Sequence, residues 1–63
     1  MPSFAERLNE ALERRNMTAA ELARALNVAD ATISNYKKGI YAPKQRRTEE
    51  ISKILNVSIP WLM

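Results

Sequence analysis

The sequence of 63 residues contains no cysteine and no histidine. Without cysteine, neither a disulfide nor a thiolate metal site can form. Without histidine, the usual zinc sites and a histidine general base are excluded as well. The remaining carboxylates and hydroxyls lie in repetitive helical contexts rather than in a recognisable catalytic arrangement. We therefore expect no catalytic residue, no metal and no cofactor, and we expect that the protein is not an enzyme.

Glycine and long apolar stretches are also scarce, since the chain has one glycine, three prolines and no long hydrophobic run. No apolar segment approaches the roughly 20 residues that span a bilayer. The start of the chain, Met1 to Glu6, lacks the basic and apolar regions of a signal peptide. These features predict one soluble, cytoplasmic domain over residues 1–63, with a core of modest size.

Charge is distributed unevenly along this basic chain, which has a net charge of +3 and a pI of about 9.7. The stretch from Ala31 to Arg47 has no acidic residue. Its five basic residues are Lys37, Lys38, Lys44, Arg46 and Arg47. Such a cluster is compatible with a polyanionic partner, although it is also compatible with an ordinary solvated face.

The hydrophobic period is helical throughout, because no window alternates between apolar and polar residues. A first helix should follow Ser3 as N-cap and end near Arg15, with Phe4, Leu8 and Leu12 on its inner stripe. Asn16 tolerates a left-handed conformation and is a plausible stop.

The next two helices are short and have clear boundary signals. Thr18 and Glu21 form the pattern of a capping box, and Asn27 is a plausible left-handed stop. A third helix should run from about Asp30 to Lys38 and end at Gly39.

The last third of the chain predicts two more helical segments. One should run from about Lys44 or Arg47 to Leu55, with Asn56 as its stop. Ser58 can cap a final turn that ends at Leu62. The fold class is therefore all-α, a compact bundle of five helices.

The second and third helices form a helix-turn-helix over about residues 18–38, joined by Asn27, Val28 and Ala29. We expect Ala23 at the point where the helices cross, since a larger side chain would separate them. Ile33 should anchor the third helix from beneath. The exposed N-terminal face of that helix is then free to enter a DNA major groove.

The chain resembles the Cro/C1-type (XRE) helix-turn-helix family of phage repressors and small bacterial regulators. The resemblance extends from about Phe4 to Leu62. The segments that carry it are Glu21-Leu22-Ala23, Leu26-Asn27-Val28, Thr32-Ile33-Ser34-Asn35-Tyr36, Gly39 and Leu55-Asn56-Val57-Ser58-Ile59-Pro60-Trp61-Leu62.

This resemblance implies a five-helix domain of the phage-repressor DNA-binding type that binds an operator as a homodimer. The operator would be double-stranded and palindromic. The positions that read bases in the family correspond to Asp30, Ala31, Ser34 and Asn35. The positions that contact the DNA backbone correspond to Thr18, Thr32, Lys38 and Lys44.

Other side chains are assigned from their own chemistry. Asn35 can pair bidentately with adenine, and Ala31 can contact a thymine methyl group. Asp30 can accept from cytosine or simply favour the helix dipole. Four further candidates for phosphate contact are Lys37, Tyr41, Arg46 and Arg47.

The chain also departs from the family pattern. Asn27 stands where the turn often has glycine, and Ala19 stands where a phosphate-binding glutamine is frequent. Leu12 and Lys37 replace an Arg–Glu pair that often joins the first and third helices. Ala29 replaces the usual Ser or Thr cap, so we expect the cap to shift to Asp30, with an uncertainty of about one position in register.

Three alternatives remain open at this stage. Trp61 and Leu62 either complete the core or, with Val57, form an apolar patch that pairs with a second copy. A helix-turn-helix can also serve as a protein-interaction module, such as an antitoxin. Thr18 either contacts a phosphate or serves only as a helix cap. Tyr36 is expected in the core.

Overall fold

A computed structural model describes residues 3–63. The predicted domain begins at Met1, and its first two residues, Met1 and Pro2, lie outside the described residues. The described part of the chain is helical and contains no strand, which confirms the predicted all-α class. Its five helices are α1 (Phe4–Arg14), α2 (Ala19–Leu26), α3 (Asp30–Lys38), α4 (Gln45–Leu55) and α5 (Ile59–Leu62).

Hydroxyl side chains cap the N-termini of three helices. Ser3 and Glu6 form a complete capping box on α1. On α2, the backbone N–H of Glu21 donates to the Thr18 hydroxyl over 3.1 Å, and the Thr18 N–H donates to the Glu21 carboxylate over 2.9 Å. This second bond favours the ionised acid, so it holds the pKa of Glu21 below its ordinary value. Ser58 accepts from the Trp61 N–H at the start of α5, as predicted.

Within residues 3–63, the other two helices, α3 and α4, begin without a side-chain cap. The N-cap of α3 is Ala29, whose backbone is extended, and Asp30 is the first helical residue. The expected shift of the cap to Asp30 is therefore wrong, because the alanine backbone adopts the N-cap conformation without a side-chain partner. Lys44 holds the equivalent position before α4.

Left-handed residues end the first four helices. Asn16, Asn27 and Asn56 have φ values of 52°, 60° and 56°, and Gly39 has a φ of 77°. These four residues confirm the predicted stops. In each case the next residue donates its N–H to a carbonyl five positions earlier, which is the long bond of a Schellman motif. The four bonds run from Met17 to Leu12, from Val28 to Ala23, from Ile40 to Asn35 and from Val57 to Ser52.

The residue after each left-handed position is apolar, but the four differ in burial. Met17, Val28 and Val57 pack against the core, as such residues usually do. Ile40 is 63% exposed instead. The turn after α3 therefore leaves its apolar side chain in solvent, whereas at the other three turns this side chain packs against the core.

The core contains side chains from all five helices. Six large residues have almost no exposed surface: Leu8, Leu22, Ile33, Ile51, Leu55 and Leu62. Ala23 is also fully buried, which agrees with its expected place where α2 and α3 cross. Tyr36 is 6% exposed and belongs to this core, as predicted.

A polar bond joins α1 to the end of α3. The Asn9 side-chain nitrogen donates to the Ala5 carbonyl over 2.9 Å and to the Lys37 carbonyl over 3.2 Å. The last carbonyls of a helix have no partner within it, so this bond satisfies one of them. Asn9 thus connects the two helices that an Arg–Glu pair often joins in the family.

No helix within residues 3–63 is both long enough and apolar enough to cross a membrane.

We predict that Gly39→Ala lowers the free energy of unfolding by about 1–2 kcal/mol, because an L-residue is strained in the left-handed region. A Cβ at this position would lie 3.7 Å from the Ala5 Cβ, which is an ordinary contact, so the loss should come from the backbone alone. Urea denaturation measures the change.

The matched control is Gly39→Asn, since asparagine already occupies the other three left-handed stops. It should lose less stability than the alanine variant. A loss as large as that of the alanine variant would mean that crowding around the side chain, rather than the backbone conformation, limits this position.

Candidate nucleic-acid interface

Helix α3 has one face in the core and one face in solvent. Ile33 and Tyr36 are buried, which turns the opposite side of the helix outward. Asp30 and Ala31 are exposed, and Ser34 and Asn35 are half-buried. Because residues four apart lie above one another on a helix, these four form two short rows on its N-terminal half. The residues predicted to read bases therefore lie together on one face.

The Asn35 side chain has a partner that the sequence analysis missed. Its amide nitrogen donates to the Tyr41 hydroxyl over 3.2 Å. The Tyr41 ring packs edge-on against Tyr36, with ring centroids 5.6 Å apart and planes at 88°. The available signal was the glycine stop after α3, since a Schellman turn brings the following residues back beside the helix end.

Basic residues surround an open groove of about 540 Å³ between the loop after α3 and the start of α4. Lys44 and Arg46 are exposed there. Arg47 is ion-paired, with its Nε 3.3 Å from a Glu50 carboxylate oxygen, and its side chain is only 32% exposed. Lys44 and Arg46 thus present more accessible charge than Arg47. The groove is lined by Leu26, Tyr36, Tyr41, Ala42, Pro43, Lys44, Arg46, Arg47 and Glu50.

A second, smaller groove contains Thr18 and Lys37, two other residues predicted to contact phosphate. It lies between α1 and the start of α2, and Glu13 also lines it. Thr18 is at the N-terminus of α2, whereas Leu26 at its C-terminus lines the basic groove. A helix of 8 residues is about 12 Å long. Six of the predicted phosphate contacts therefore form two groups, at opposite ends of α2.

Two remaining members of the predicted set lie on α3 itself. Thr32 is half-buried, and Lys38 is exposed in the last turn of the helix. A cation in the last turn suits the helix dipole, so Lys38 stabilises α3 in addition to its predicted phosphate contact.

The electrostatics at the start of α4 favour an anion. Helices α1 and α2 carry Glu6 and Glu21 in their first turns, where a negative charge suits the dipole. The first turn of α4 has no acid and includes Arg46 and Arg47. Cations at the N-terminus of α4 interact unfavourably with the positive end of the helix dipole. Within residues 3–63, no side chain caps the N–H groups at this helix start. Together they suit a bound phosphate.

The C-terminal residues divide between the core and the surface. Leu62 is fully buried, so its side chain completes the core and cannot contact a second copy directly. The Trp61 ring is half-buried and lies 4.7 Å from the Arg7 guanidinium and 5.3 Å from that of Arg14. Such cation–π contacts fix α5 on α1. Val57 is half-buried against the core.

Two exposed apolar residues of this region escaped the sequence analysis. Ile59 is 38% exposed and Met63 is 65% exposed. Both follow the Ser58 cap, and their spacing of four residues was the available signal, because it places them on the same side of a single helical turn.

Comparison with known proteins gives a consistent result. A family model described as helix-turn-helix matches residues 8–62. The chain is 37% identical over 62 residues to an HTH-type transcriptional regulator for conjugative element R391 of Providencia rettgeri. It has the same identity to the regulators for element SXT of Vibrio cholerae and element pMERPH of Shewanella putrefaciens. No solved structure matches significantly.

These alignments cover 98% of this chain but only 28% of each relative. The chain therefore spans less than a third of the length of these regulators. The family match nonetheless includes the whole of α2, the turn and α3. On the strength of the matched residues and the five-helix arrangement around them, the chain belongs to the Cro/C1-type (XRE) helix-turn-helix family.

Proposed function

We propose that the protein binds double-stranded DNA in a sequence-specific manner and regulates transcription, as a repressor of the phage type. The observation that carries this proposal is the solvent-facing N-terminal half of α3, which presents Asp30, Ala31, Ser34 and Asn35. A helix about 10–12 Å across fits a major groove about 12 Å wide. The relatives named as HTH-type transcriptional regulators support the same conclusion.

Within the groove, the four side chains would have different roles. Asn35 pairs with the N6 and N7 positions of adenine, and Ala31 contacts a thymine methyl group. Ser34 can bond to more than one base. Asp30 either accepts from cytosine N4 or stabilises the first turn of α3 through the dipole.

Phosphate contacts would come from both groups of residues at the ends of α2. Lys44 and Arg46 are exposed beside an uncapped helix start, and so they are the strongest members of the set. The Thr18 hydroxyl accepts from Glu21 and retains its own hydrogen for a phosphate oxygen. Five further residues are weaker contacts, and one of them, Arg47, must exchange its ion pair with Glu50 for a phosphate. These five residues are Thr32, Lys37, Lys38, Tyr41 and Arg47.

Two copies would bind a palindromic operator, because one recognition helix reads only a few base pairs. The half-sites would lie about 34 Å apart, one turn of DNA. The exposed apolar surface around α5, with Ile59, Met63 and the accessible parts of Val57 and Trp61, is the proposed contact between copies. A protein with this function would act in the cytoplasm, on the nucleoid.

Selection of random duplex DNA by the purified protein at about physiological salt tests this function. We expect enrichment of a palindromic motif. Failure to enrich any motif, both by the chain and by a covalently linked dimer of it, would contradict sequence-specific binding and favour a protein partner instead.

Asn35→Ala should weaken binding to the selected duplex by about 1–3 kcal/mol, because a bidentate base contact is lost. Binding to a scrambled duplex should hardly change, since phosphate contacts carry most of that affinity. Fluorescence anisotropy with both duplexes measures the difference. An equal loss on the two duplexes would remove Asn35 from the set of base-reading residues.

Lys44→Ala should reduce affinity for every sequence and make the dependence of log Kd on log salt shallower by about one, because one phosphate contact disappears. Titrations at several salt concentrations measure this slope. The matched control is Lys53→Ala, which removes an exposed lysine from the opposite end of the same helix. If both variants change the slope equally, the effect is one of net charge and Lys44 makes no specific contact.

A further inference from the structure

The side chain best suited to read a base is held by a second residue outside the recognition helix. The Asn35 amide nitrogen donates to the Tyr41 hydroxyl over 3.2 Å. The two residues are six apart in sequence, and the left-handed Gly39 turn lies between them. The same turn is closed on Asn35 itself, because the Ile40 N–H donates to the Asn35 carbonyl over 3.1 Å. Asn35 thus makes two hydrogen bonds with the loop that follows α3: its carbonyl accepts one from the backbone, and its side chain donates the other.

The Tyr41 ring is in turn positioned from the core. It packs edge-on against Tyr36 at a centroid distance of 5.6 Å. Tyr36 is 6% exposed and packs in the same manner against Phe4, at 6.2 Å and 86°. This row of three rings extends from α1 to the loop after α3. Tyr41 is 48% exposed, so its ring is packed on one side while its hydroxyl remains near solvent.

The hydrogen bond to Tyr41 leaves part of the Asn35 amide free to bind a base. An asparagine amide has two N–H hydrogens and one carbonyl oxygen. Tyr41 takes one hydrogen, so one N–H and the carbonyl oxygen remain. Those two groups are the pair that adenine requires, since N7 accepts and N6 donates. The tyrosine oxygen accepts from Asn35, and its own hydrogen remains free to be donated elsewhere.

We propose that Tyr41 is a positioning residue that determines base specificity through Asn35. By accepting one amide hydrogen, the Tyr41 hydroxyl fixes the rotation of the amide and directs its remaining donor and acceptor toward the base. The same hydroxyl donates to a neighbouring DNA phosphate, which joins a backbone contact to a base contact. This inference rests on the proposed DNA-binding function and assigns Tyr41 a part in specificity beyond phosphate contact alone.

Tyr41→Phe isolates the hydroxyl, because phenylalanine keeps the ring that packs on Tyr36. The hydroxyl lies at the surface and bonds to a side chain, so the variant should fold like the parent, as circular dichroism and thermal unfolding will verify. Ile40→Ala is the matched control. It changes the neighbouring exposed side chain of the same loop without touching the Asn35–Tyr41 bond.

The test uses the duplex enriched by the unmodified protein, together with duplexes in which each base pair in turn is replaced by the three others. The affinities of the parent, Asn35→Ala, Tyr41→Phe, the double variant and Ile40→Ala are measured on this set. Asn35→Ala identifies the base pair at which discrimination depends on the amide. We expect Tyr41→Phe to reduce discrimination at that same base pair by roughly 3- to 10-fold, the range for one hydrogen bond.

The double variant should discriminate no less than Asn35→Ala alone, because Tyr41 acts through Asn35. Ile40→Ala should leave discrimination at that base pair unchanged. If Tyr41→Phe retains full discrimination where Asn35→Ala has lost it, or weakens all duplexes equally, the positioning role is overturned and the proposed function stands. If the parent protein enriches no duplex, the proposed function itself is overturned, and the inference with it.

Discussion

The left-handed termination of the helices is the constraint on which the rest of this fold depends. Four of the five helices end at a residue with positive φ, and in each the next N–H bonds back to a carbonyl five positions earlier. With no disulfide and a small core, the chain relies on these turns to set the direction of each following helix. Three of the turns also direct an apolar side chain into the core, at Met17, Val28 and Val57. The surface of α3 that we propose to bind DNA depends on how α3 packs against α2, which follows from the left-handed turn at Asn27 and the buried Ala23.

The third of these turns has a different consequence. After Gly39 the apolar residue Ile40 remains exposed, and the chain continues beside α3 rather than beneath it. Tyr41 therefore lies next to Asn35 at the surface, where the other turns have a core contact. The same kind of Schellman turn that packs an apolar residue against the core at the other three helix ends places Tyr41 on the surface proposed to bind DNA.

The N-termini of the helices also differ, since some are capped by side chains and others are not. Helices α1, α2 and α5 are capped by serine or threonine, and α1 and α2 carry an acid in the first turn. The starts of α3 and α4 lack such caps in the described part of the chain, and that of α4 is basic. An uncapped start surrounded by cations is unfavourable in the free protein, and it becomes favourable when a phosphate is bound. The start of α4 therefore suits the DNA backbone contact proposed for it.

Most boundaries of this fold could be predicted from the sequence, because caps and left-handed stops depend on residues within about five positions of one another. Thr18 with Glu21, the three asparagines and Gly39 all belong to this class. Even the Arg47–Glu50 pair has the spacing of a local contact and could have been predicted, although it was not.

The features that sequence alone left open depend on how the helices pack. The bond from Asn9 to the Lys37 carbonyl joins residues 28 positions apart. The choice between core and surface for Leu62 and Trp61 depends on where α5 lies against α1, and the helical period alone allows either. The hydrogen bond between Asn35 and Tyr41 depends on the edge-on packing of Phe4, Tyr36 and Tyr41, which holds the loop in place. The sequence by itself therefore determined where the first four helices end and where the three capped helices begin, since hydrogen bonds within one turn decide that. Only the tertiary structure decided which side chains share a surface, because that depends on packing between segments distant in the chain.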